Sequence, residues 1–124
     1  MRAYTVAATA VTLGVTRKWI DNVLSHHSVT GVLHAKQGIQ RQVTPIGLLT
    51  LGVALGLGRS MNIPIGRALE ISNRLIAAKG GEVAFGTYVT LRADVESISR
   101  QLEYRLERAL EMTPIPKRGR PRYK

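Results

Sequence analysis

The segment from Thr5 to Leu24, TVAATAVTLGVTRKWIDNVL, constrains the fold most, because two short apolar-periodic stretches flank a glycine within it. Ala10 lies four residues before Gly14, where a small side chain lets a second helix cross closely. Gly14 can adopt the positive φ of a tight turn, and Thr16 is of a residue type that caps helices. The spacing therefore predicts a helix-turn-helix.

The second predicted helix has two chemically different faces. The inward face consists of Val15, Ile20, Val23 and Leu24, with Trp19 partly against the scaffold. The outward face presents Thr16, Arg17, Lys18, Asp21 and Asn22. Arginine and lysine donate to guanine or phosphate, asparagine pairs with adenine, and aspartate accepts from cytosine or orients an arginine. We expect this face to bind the DNA major groove; the alternative is an ordinary helical hairpin with a solvated charged face.

Two short β-prone segments, 28–34 and 39–44, follow and are separated by a turn that contains a glycine. Their spacing predicts a hairpin, or wing, beside the second helix. Lys36, Gln37 and Arg41 are expected to contact the neighbouring phosphate backbone. A plain connecting hairpin is the alternative.

Two helix starts follow, one at Thr44-Pro45 and one at residues 62–64, Asn-Ile-Pro. The apolar run from Ile46 to Leu57 is shorter than the roughly 20 residues that span a bilayer. It therefore predicts a buried core helix, whose glycines allow close packing against the helix-turn-helix. The next helix is expected to end at residues 80–81, Gly-Gly.

The β-rich stretch from Glu82 to Arg92 predicts one strand that pairs with the wing or with a second subunit. Asp94 is expected to cap a last helix from Val95 to about Met112. An apolar stripe on this helix is either part of the core or the seam of a homodimer, and its members are Val95, Ile98, Leu102, Leu106, Ala109 and Leu110.

The charge balance favours a polyanionic partner. The 124 residues include 18 Lys and Arg against eight Asp and Glu, a formal net charge of +10. Residues 113–124 contribute half of the excess, with five basic residues and no acidic one. Charge alone also permits RNA or an anionic membrane. The sequence contains no cysteine, which makes a reducing compartment the default expectation.

The last twelve residues, TPIPKRGRPRYK, lack apolar periodicity and are expected to be extended when free. Their core, formed by Lys117, Arg118, Gly119, Arg120, Pro121 and Arg122, resembles an AT-hook. Glycine lets the backbone lie on the floor of a narrow groove, and arginines enter the negative potential of A·T tracts. We expect minor-groove binding; the alternatives are a generic basic tail or a nuclear-localisation signal.

Residues 3 to about 78 are similar to the winged DNA-binding domain of the MerR and excisionase-like superfamily. The similarity rests on AVTLGVTRKWIDNVL, a short wing, and helices after TP and after NIP. It implies that Arg17, Lys18 and Asn22 lie on a recognition helix, and Lys36 and Arg41 on the wing. The chain departs from MerR regulators in lacking their usual arginine-tyrosine wing pair, a long coiled-coil helix and a cysteine-rich effector site.

No arrangement typical of catalysis is found in the sequence. The three histidines, His26, His27 and His34, have only Asp21 nearby as a further ligand, and adjacent histidines at a helix end more often cap carbonyls or approach phosphate than bind metal. No Ser/His/Asp order, paired carboxylates or phosphate loop is present. We therefore predict no enzyme, catalytic residue, metal, cofactor or small-molecule substrate, and we expect no membrane partner.

The predicted fold is mainly α with a small β component. It comprises a winged helix-turn-helix at 1–80, a strand and amphipathic helix at 81–112, and a basic tail at 113–124. The expected partner is A·T-rich double-stranded DNA, bound as a monomer or homodimer by a transcriptional regulator or nucleoid-associated protein. Such a protein would reside in the bacterial nucleoid or the eukaryotic nucleus. The alternatives are an RNA-binding or ribosome-associated protein and an antitoxin or adaptor.

Overall fold

The computed structural model describes residues 2–33, 40–78 and 81–112. Within these ranges, helices predominate over five short strands, which confirms the mainly α class with a small β component. In chain order the elements are β1 (Tyr4–Thr5), α1 (Val6–Leu13), α2 (Arg17–His26), β2 (Val32–Leu33), β3 (Gln42–Val43), α3 (Pro45–Met61), α4 (Ile65–Ala77), β4 (Glu82–Phe85), β5 (Val89–Arg92) and α5 (Val95–Met112).

A small antiparallel sheet is formed by one strand that precedes α1 and two strands that follow α2. Its strand order is β1-β3-β2, with Val43 of β3 opposite Tyr4 on one side and Val32 on the other. Val43 is fully buried. Because α1 and α2 lie between β1 and β2 in the chain, the sheet holds both ends of the helix pair. The predicted pairing of β2 with β3 is confirmed, whereas their connecting turn falls within residues 34–39, outside the described residues.

The turn between α1 and α2 forms as its glycine predicts. Gly14 has φ +70°, a left-handed conformation that glycine adopts without steric cost. The Gly14 amide donates to the Val11 carbonyl at 3.2 Å, and the Val15 amide donates to the Ala10 carbonyl at 3.0 Å. These bonds satisfy carbonyls at the end of α1. The chain therefore reverses within three residues.

The start of α3 fixes the loop that leads into β2. The Thr44 amide and hydroxyl both donate to the Gly31 carbonyl, at 2.9 and 2.6 Å, while the Thr44 Oγ1 accepts from the Gly47 amide at 3.3 Å. A Cβ on Gly31 would lie 2.3 Å from the Gly47 nitrogen, so only glycine permits this approach. The predicted start at Thr44-Pro45 is confirmed.

The junction of α3 and α4 differs from the prediction. The predicted helix after residues 62–64 is confirmed, but Asn62 does not cap it: Asn62 ends α3, with φ +57° and an amide that donates to the Gly58 carbonyl at 3.0 Å. Asparagine tolerates this left-handed conformation better than most residues. Pro64 alone then precedes α4, without a side-chain cap.

The α3–α4 pair forms the centre of the core. The Ser72 hydroxyl of α4 donates to the Thr50 carbonyl of α3 at 2.8 Å, and both side chains are buried. The apolar residues between the two helices are also buried, among them Leu51, Ala54, Ala68 and Ile71. Among the described residues, no helix combines the length and apolar character needed to cross a membrane.

The stretch from Glu82 to Arg92 is a hairpin, so the prediction of one strand is wrong. Strands β4 and β5 pair with each other in a two-stranded sheet of their own, and neither joins β1–β3. Gly86 has φ +84° and enables the reversal. Tyr88 at the tip is 96% exposed. The hairpin rests on α4, where the Arg67 guanidinium lies 5.7 Å from the Phe85 ring centroid.

Helix α5 closes the core against α1 and α3. The Asp94 carboxylate accepts from the Ser97 amide at 3.0 Å, which confirms the predicted cap. Leu102 and Leu106 are buried in the same core as α1–α4, whereas Leu110 is 40% exposed. Most of the predicted stripe is therefore core. A Cβ on Gly52 would lie 2.9 Å from Leu102 Cδ1, so this α3 glycine makes room chiefly for α5 rather than for the α1–α2 pair.

Candidate nucleic-acid interface

The two faces of α2 separate as the sequence predicts. Ile20, Val23 and Leu24 are buried, and Val15 and Trp19 pack partly against the core. Thr16 and the four outward residues are all exposed, namely Arg17, Lys18, Asp21 and Asn22. The buried face fixes the rotation of the helix, so the exposed face is presented on a rigid element.

The first turn of α2 concentrates positive charge. The Thr16 Oγ1 accepts from the Trp19 amide at 3.0 Å, which caps the helix. Arg17 and Lys18 occupy the first two helical positions, and the first turn contains no acidic residue. Because the helix dipole is already positive at this end, two cations here oppose helix stability by about 0.3–1 kcal/mol each. This arrangement is suited to attracting an anion rather than to stabilising the fold.

A shallow hollow lies between α2 and residues 40–41, which lead into β3. Arg17, Asp21, Gln40 and Arg41 line this hollow. The Arg41 guanidinium donates to the Ser25 hydroxyl at 3.4 Å, across the gap between the end of β2–β3 and α2. Arg41 is half-buried, so its side chain is held against α2. The structure thus places Arg41, which was predicted for the wing, beside Arg17 and Asp21, which were predicted for the exposed face of α2.

Sequence reasoning missed Ser25 and Gln40 as members of this surface. The spacing of Arg17, Asp21 and Ser25, four residues each, places them in one row on α2 and could have identified the serine. Gln40 carries no comparable signal, because its position depends on the path of the hairpin. A second row continues from Asn22 to His26, whose Nδ1 lies 2.8 Å from the Asn22 carbonyl oxygen. His26 therefore contacts a helix carbonyl, as predicted.

Arg59, near the end of α3, also reaches the helix pair. Its Nη2 donates to the Gly14 carbonyl at 3.4 Å, in the turn between α1 and α2. The guanidinium is 45 residues away in sequence, so no local pattern predicts the contact. It places one more exposed cation beside the start of α2.

Several predicted residues fall outside the described residues. Lys36 and Gln37 of the wing lie within residues 34–39. The AT-hook-like residues lie within residues 113–124, and they are Lys117, Arg118, Gly119, Arg120, Pro121 and Arg122. Their predicted contacts with DNA therefore remain predictions.

The charges of the chain are distributed unevenly. Residues 1–81 contain nine basic and two acidic residues, whereas residues 82–112 contain four basic and six acidic ones. The positive excess of the body is therefore carried by the part that includes α2 and β1–β3. No group of three or more His, Asp and Glu residues in the described ranges is placed to hold a metal ion.

Comparison with known proteins identifies no relative of this chain. No protein-family model, curated protein or solved structure matches the chain. The chemistry of the surface formed by α2 and Arg41 is therefore inferred from its geometry and charge.

Proposed function

We propose that the chain is a winged helix-turn-helix DNA-binding protein that acts as a transcriptional regulator or nucleoid-associated protein. One observation carries the proposal: an exposed, cation-bearing start of α2 lies on a rigid scaffold, with Arg41 of the following hairpin held beside it. A helix with this presentation fits the major groove, where the N-terminal residues of a recognition helix contact base edges.

The exposed residues of α2 make different contacts with DNA. Arg17 and Lys18 donate to guanine or to phosphates, and Asn22, four residues after Lys18, pairs with adenine one turn farther along the groove. Asp21 shares the hollow with Arg17 and Arg41, a placement that favours orienting these arginines over accepting from cytosine. The capping Thr16 keeps its hydroxyl proton available for a phosphate, because only its oxygen is used as an acceptor in the cap.

The sheet supports the winged arrangement. Strands β2 and β3 pair next to each other in the β1-β3-β2 sheet, and the hydrogen bond from Arg41 to Ser25 joins the residue before β3 to α2. Arg41, directly before β3, and Lys36 and Gln37, also between β2 and β3, would contact flanking phosphates. Likeness to the MerR and excisionase-like superfamily is part of the same proposal.

The basic tail supplies a second grip in the minor groove. Gly119 lies seven residues after Met112, the end of α5. At about 3.1 Å per residue in an extended proline-rich chain, they reach about 20 Å. Half a helical turn of DNA is about 17 Å, so the tail can enter a minor groove next to the major groove that holds α2. Tethering raises affinity through effective concentration.

A homodimer on a two-fold DNA site would duplicate these contacts. The part of α5 that supports such an assembly is its exposed apolar surface, with Tyr104 61% and Leu110 40% exposed. The rest of the α5 stripe is used within the core.

Selection from a pool of random-sequence duplexes tests the proposal. The wild-type chain is expected to enrich a short motif with an A·T-rich flank. Arg17→Ala and Asn22→Ala are expected to change the preferred bases, at about 1–3 kcal/mol per lost bidentate contact. Arg100→Ala, an exposed arginine of α5, is the charge-matched control and should leave the motif unchanged.

Two results would contradict the proposal. Equal loss of affinity on every duplex in the Arg17 and Asn22 variants would exclude base readout by α2. Preference for a single-stranded RNA competitor over duplex DNA would favour the RNA-binding alternative. Genome-wide occupancy then separates the two roles within the proposal, because a regulator occupies few sharp sites and an architectural protein covers A·T-rich DNA broadly.

A further inference from the structure

An open cleft lies between α3, α5 and the segment that joins β5 to α5. Its volume is about 520 Å³, and no residue of α2 lines it. Buried side chains of Leu13, Leu75 and Leu102 form part of its wall, together with the half-buried Ile98. The cleft is therefore apolar inside and large enough for a small organic molecule, and of its lining residues Arg59 also lies beside the start of α2.

Three arginines also line the cleft: Arg59, Arg92 and Arg105. None of them forms an ion pair with another described residue. The one acidic residue of the lining is Asp94, whose carboxylate already caps α5. Three cations and one anion around an apolar cavity favour a ligand that carries negative charge.

The positive charge of Arg105 is not balanced by acidic residues at neighbouring positions on α5. Its neighbours three and four residues away are Gln101, Leu102, Arg108 and Ala109, and none is acidic. Arg100, elsewhere on α5, has Glu96 and Glu103 at those spacings. Arg92 is opposite Glu82 in the hairpin register without forming an ion pair. Arg105 thus contributes charge to the cleft without a helical partner.

Gly56 is an exposed glycine on the wall of the cleft. It lies in the middle of α3, where glycine is less favourable than alanine, yet a Cβ at this position would meet no atom within 4 Å. Gly52, one turn earlier, is explained by the approach of Leu102, but packing gives no reason for Gly56. A larger side chain at residue 56 would instead occupy the space of the cleft.

We propose that this cleft binds a small amphipathic organic anion, with its carboxylate at the arginines and its apolar body against α3 and α5. The chain's own basic tail is excluded as the occupant, since five positive charges would face three arginines. A nucleic-acid phosphate is equally unsuited, because a sugar-phosphate chain offers no apolar body for the leucine-lined interior. The site goes beyond DNA binding and does not depend on it.

Titration of the isotope-labelled full-length chain with octanoate, followed by amide NMR, tests the proposal. The Gly52 and Gly56 amides are expected to shift saturably, whereas Gly66 on α4, outside the cleft, should not move. Octanamide, which has the same chain without the charge, should bind about tenfold more weakly, the equivalent of one charge-assisted hydrogen bond.

Two matched variant pairs locate the site. Gly56→Leu should weaken octanoate binding at least about tenfold by filling the cleft, while Gly56→Ala should retain most of it. Arg105→Gln should weaken binding about tenfold, while Arg100→Gln, with the same change in net charge, should leave it within about twofold. The proposal is overturned by no saturable shift, by equal binding of octanamide, or by equal losses in the two arginine variants.

Discussion

The Thr16 hydroxyl oxygen accepts a hydrogen bond from the Trp19 amide at 3.0 Å, at the point where α2 begins. Thr16 therefore has a structural role at the same position where the proposed DNA contact begins. The two roles can be separated by substitution, because aspartate caps helices as well as threonine does but carries a negative charge.

Thr16→Ala is expected to destabilise the protein by about 1 kcal/mol through loss of the cap. Thr16→Asp should preserve the unfolding free energy, because an acid at a helix start also interacts favourably with the dipole. The same aspartate should weaken DNA binding by repelling phosphate. Urea unfolding and fluorescence anisotropy measure the two effects. Undiminished DNA binding by Thr16→Asp would mean that the start of α2 does not approach the backbone.

Two glycines with open space around them should respond to alanine in opposite directions. A Cβ at Gly14 or at Gly56 would meet no atom within 4 Å. Gly14 has φ +70°, so Gly14→Ala should cost about 1–2 kcal/mol through left-handed strain. Gly56 is within α3, so Gly56→Ala should stabilise by about 0.5–1 kcal/mol. Urea unfolding of both variants checks the signs, and destabilisation by Gly56→Ala would show that packing requires this glycine.

The local features of the fold could be predicted from the sequence, because each depends on residues close in the chain. The turn at Gly14, the cap at Thr16, the start of α3 at Thr44 and the cap at Asp94 are all of this kind. Each combines a residue with a special backbone preference and an adjacent apolar period. The exposed face of α2 follows from the same periodicity.

Features that depend on residues distant in the chain could not be predicted from the sequence. Arg59 reaches Gly14 across 45 residues, and the cleft near Gly56 requires the final positions of five elements, α1, α3, α4, β5 and α5. The error at Glu82 to Arg92 has a different origin, because the central Gly86 was a local signal for a turn within a uniformly β-prone stretch. The β-prone residues on both sides of Gly86 favoured a single strand over a turn.

Asp21→Asn is expected to raise affinity for all duplexes severalfold and to reduce discrimination between them. Asp21 shares the hollow with Arg17 and Arg41, so removal of its charge increases the local positive charge and takes away a carboxylate that can orient the arginines on a base. Glu103→Gln, an exposed position on α5, changes net charge equally and should leave affinity within about twofold. Anisotropy titrations with the selected duplex and a scrambled one provide the comparison. Weaker binding to the selected duplex alone would instead assign Asp21 to cytosine recognition.

Removal of residues 113–124 should weaken DNA binding and flatten its salt dependence. The segment contains five basic residues, and each phosphate neutralised contributes about 0.9 to the slope of log affinity against log salt. The slope should therefore fall by up to about 4.5. An unchanged slope would remove the tail from the binding mechanism.

The double variant Gly119→Pro, Pro121→Gly separates an AT-hook from a generic basic tail, because it keeps all five charges and destroys the Gly-Arg-Pro core. Its salt slope should match that of the wild type, since counterion release depends on the number of phosphates neutralised. Its preference for A·T-rich over G·C-rich duplexes should fall, because the Gly-Arg-Pro core that positions arginine on the floor of a narrow minor groove is lost. Competition between the two duplexes at one salt concentration measures that preference. An unaltered preference would assign the A·T discrimination to the body of the protein, and the tail would then act through charge alone.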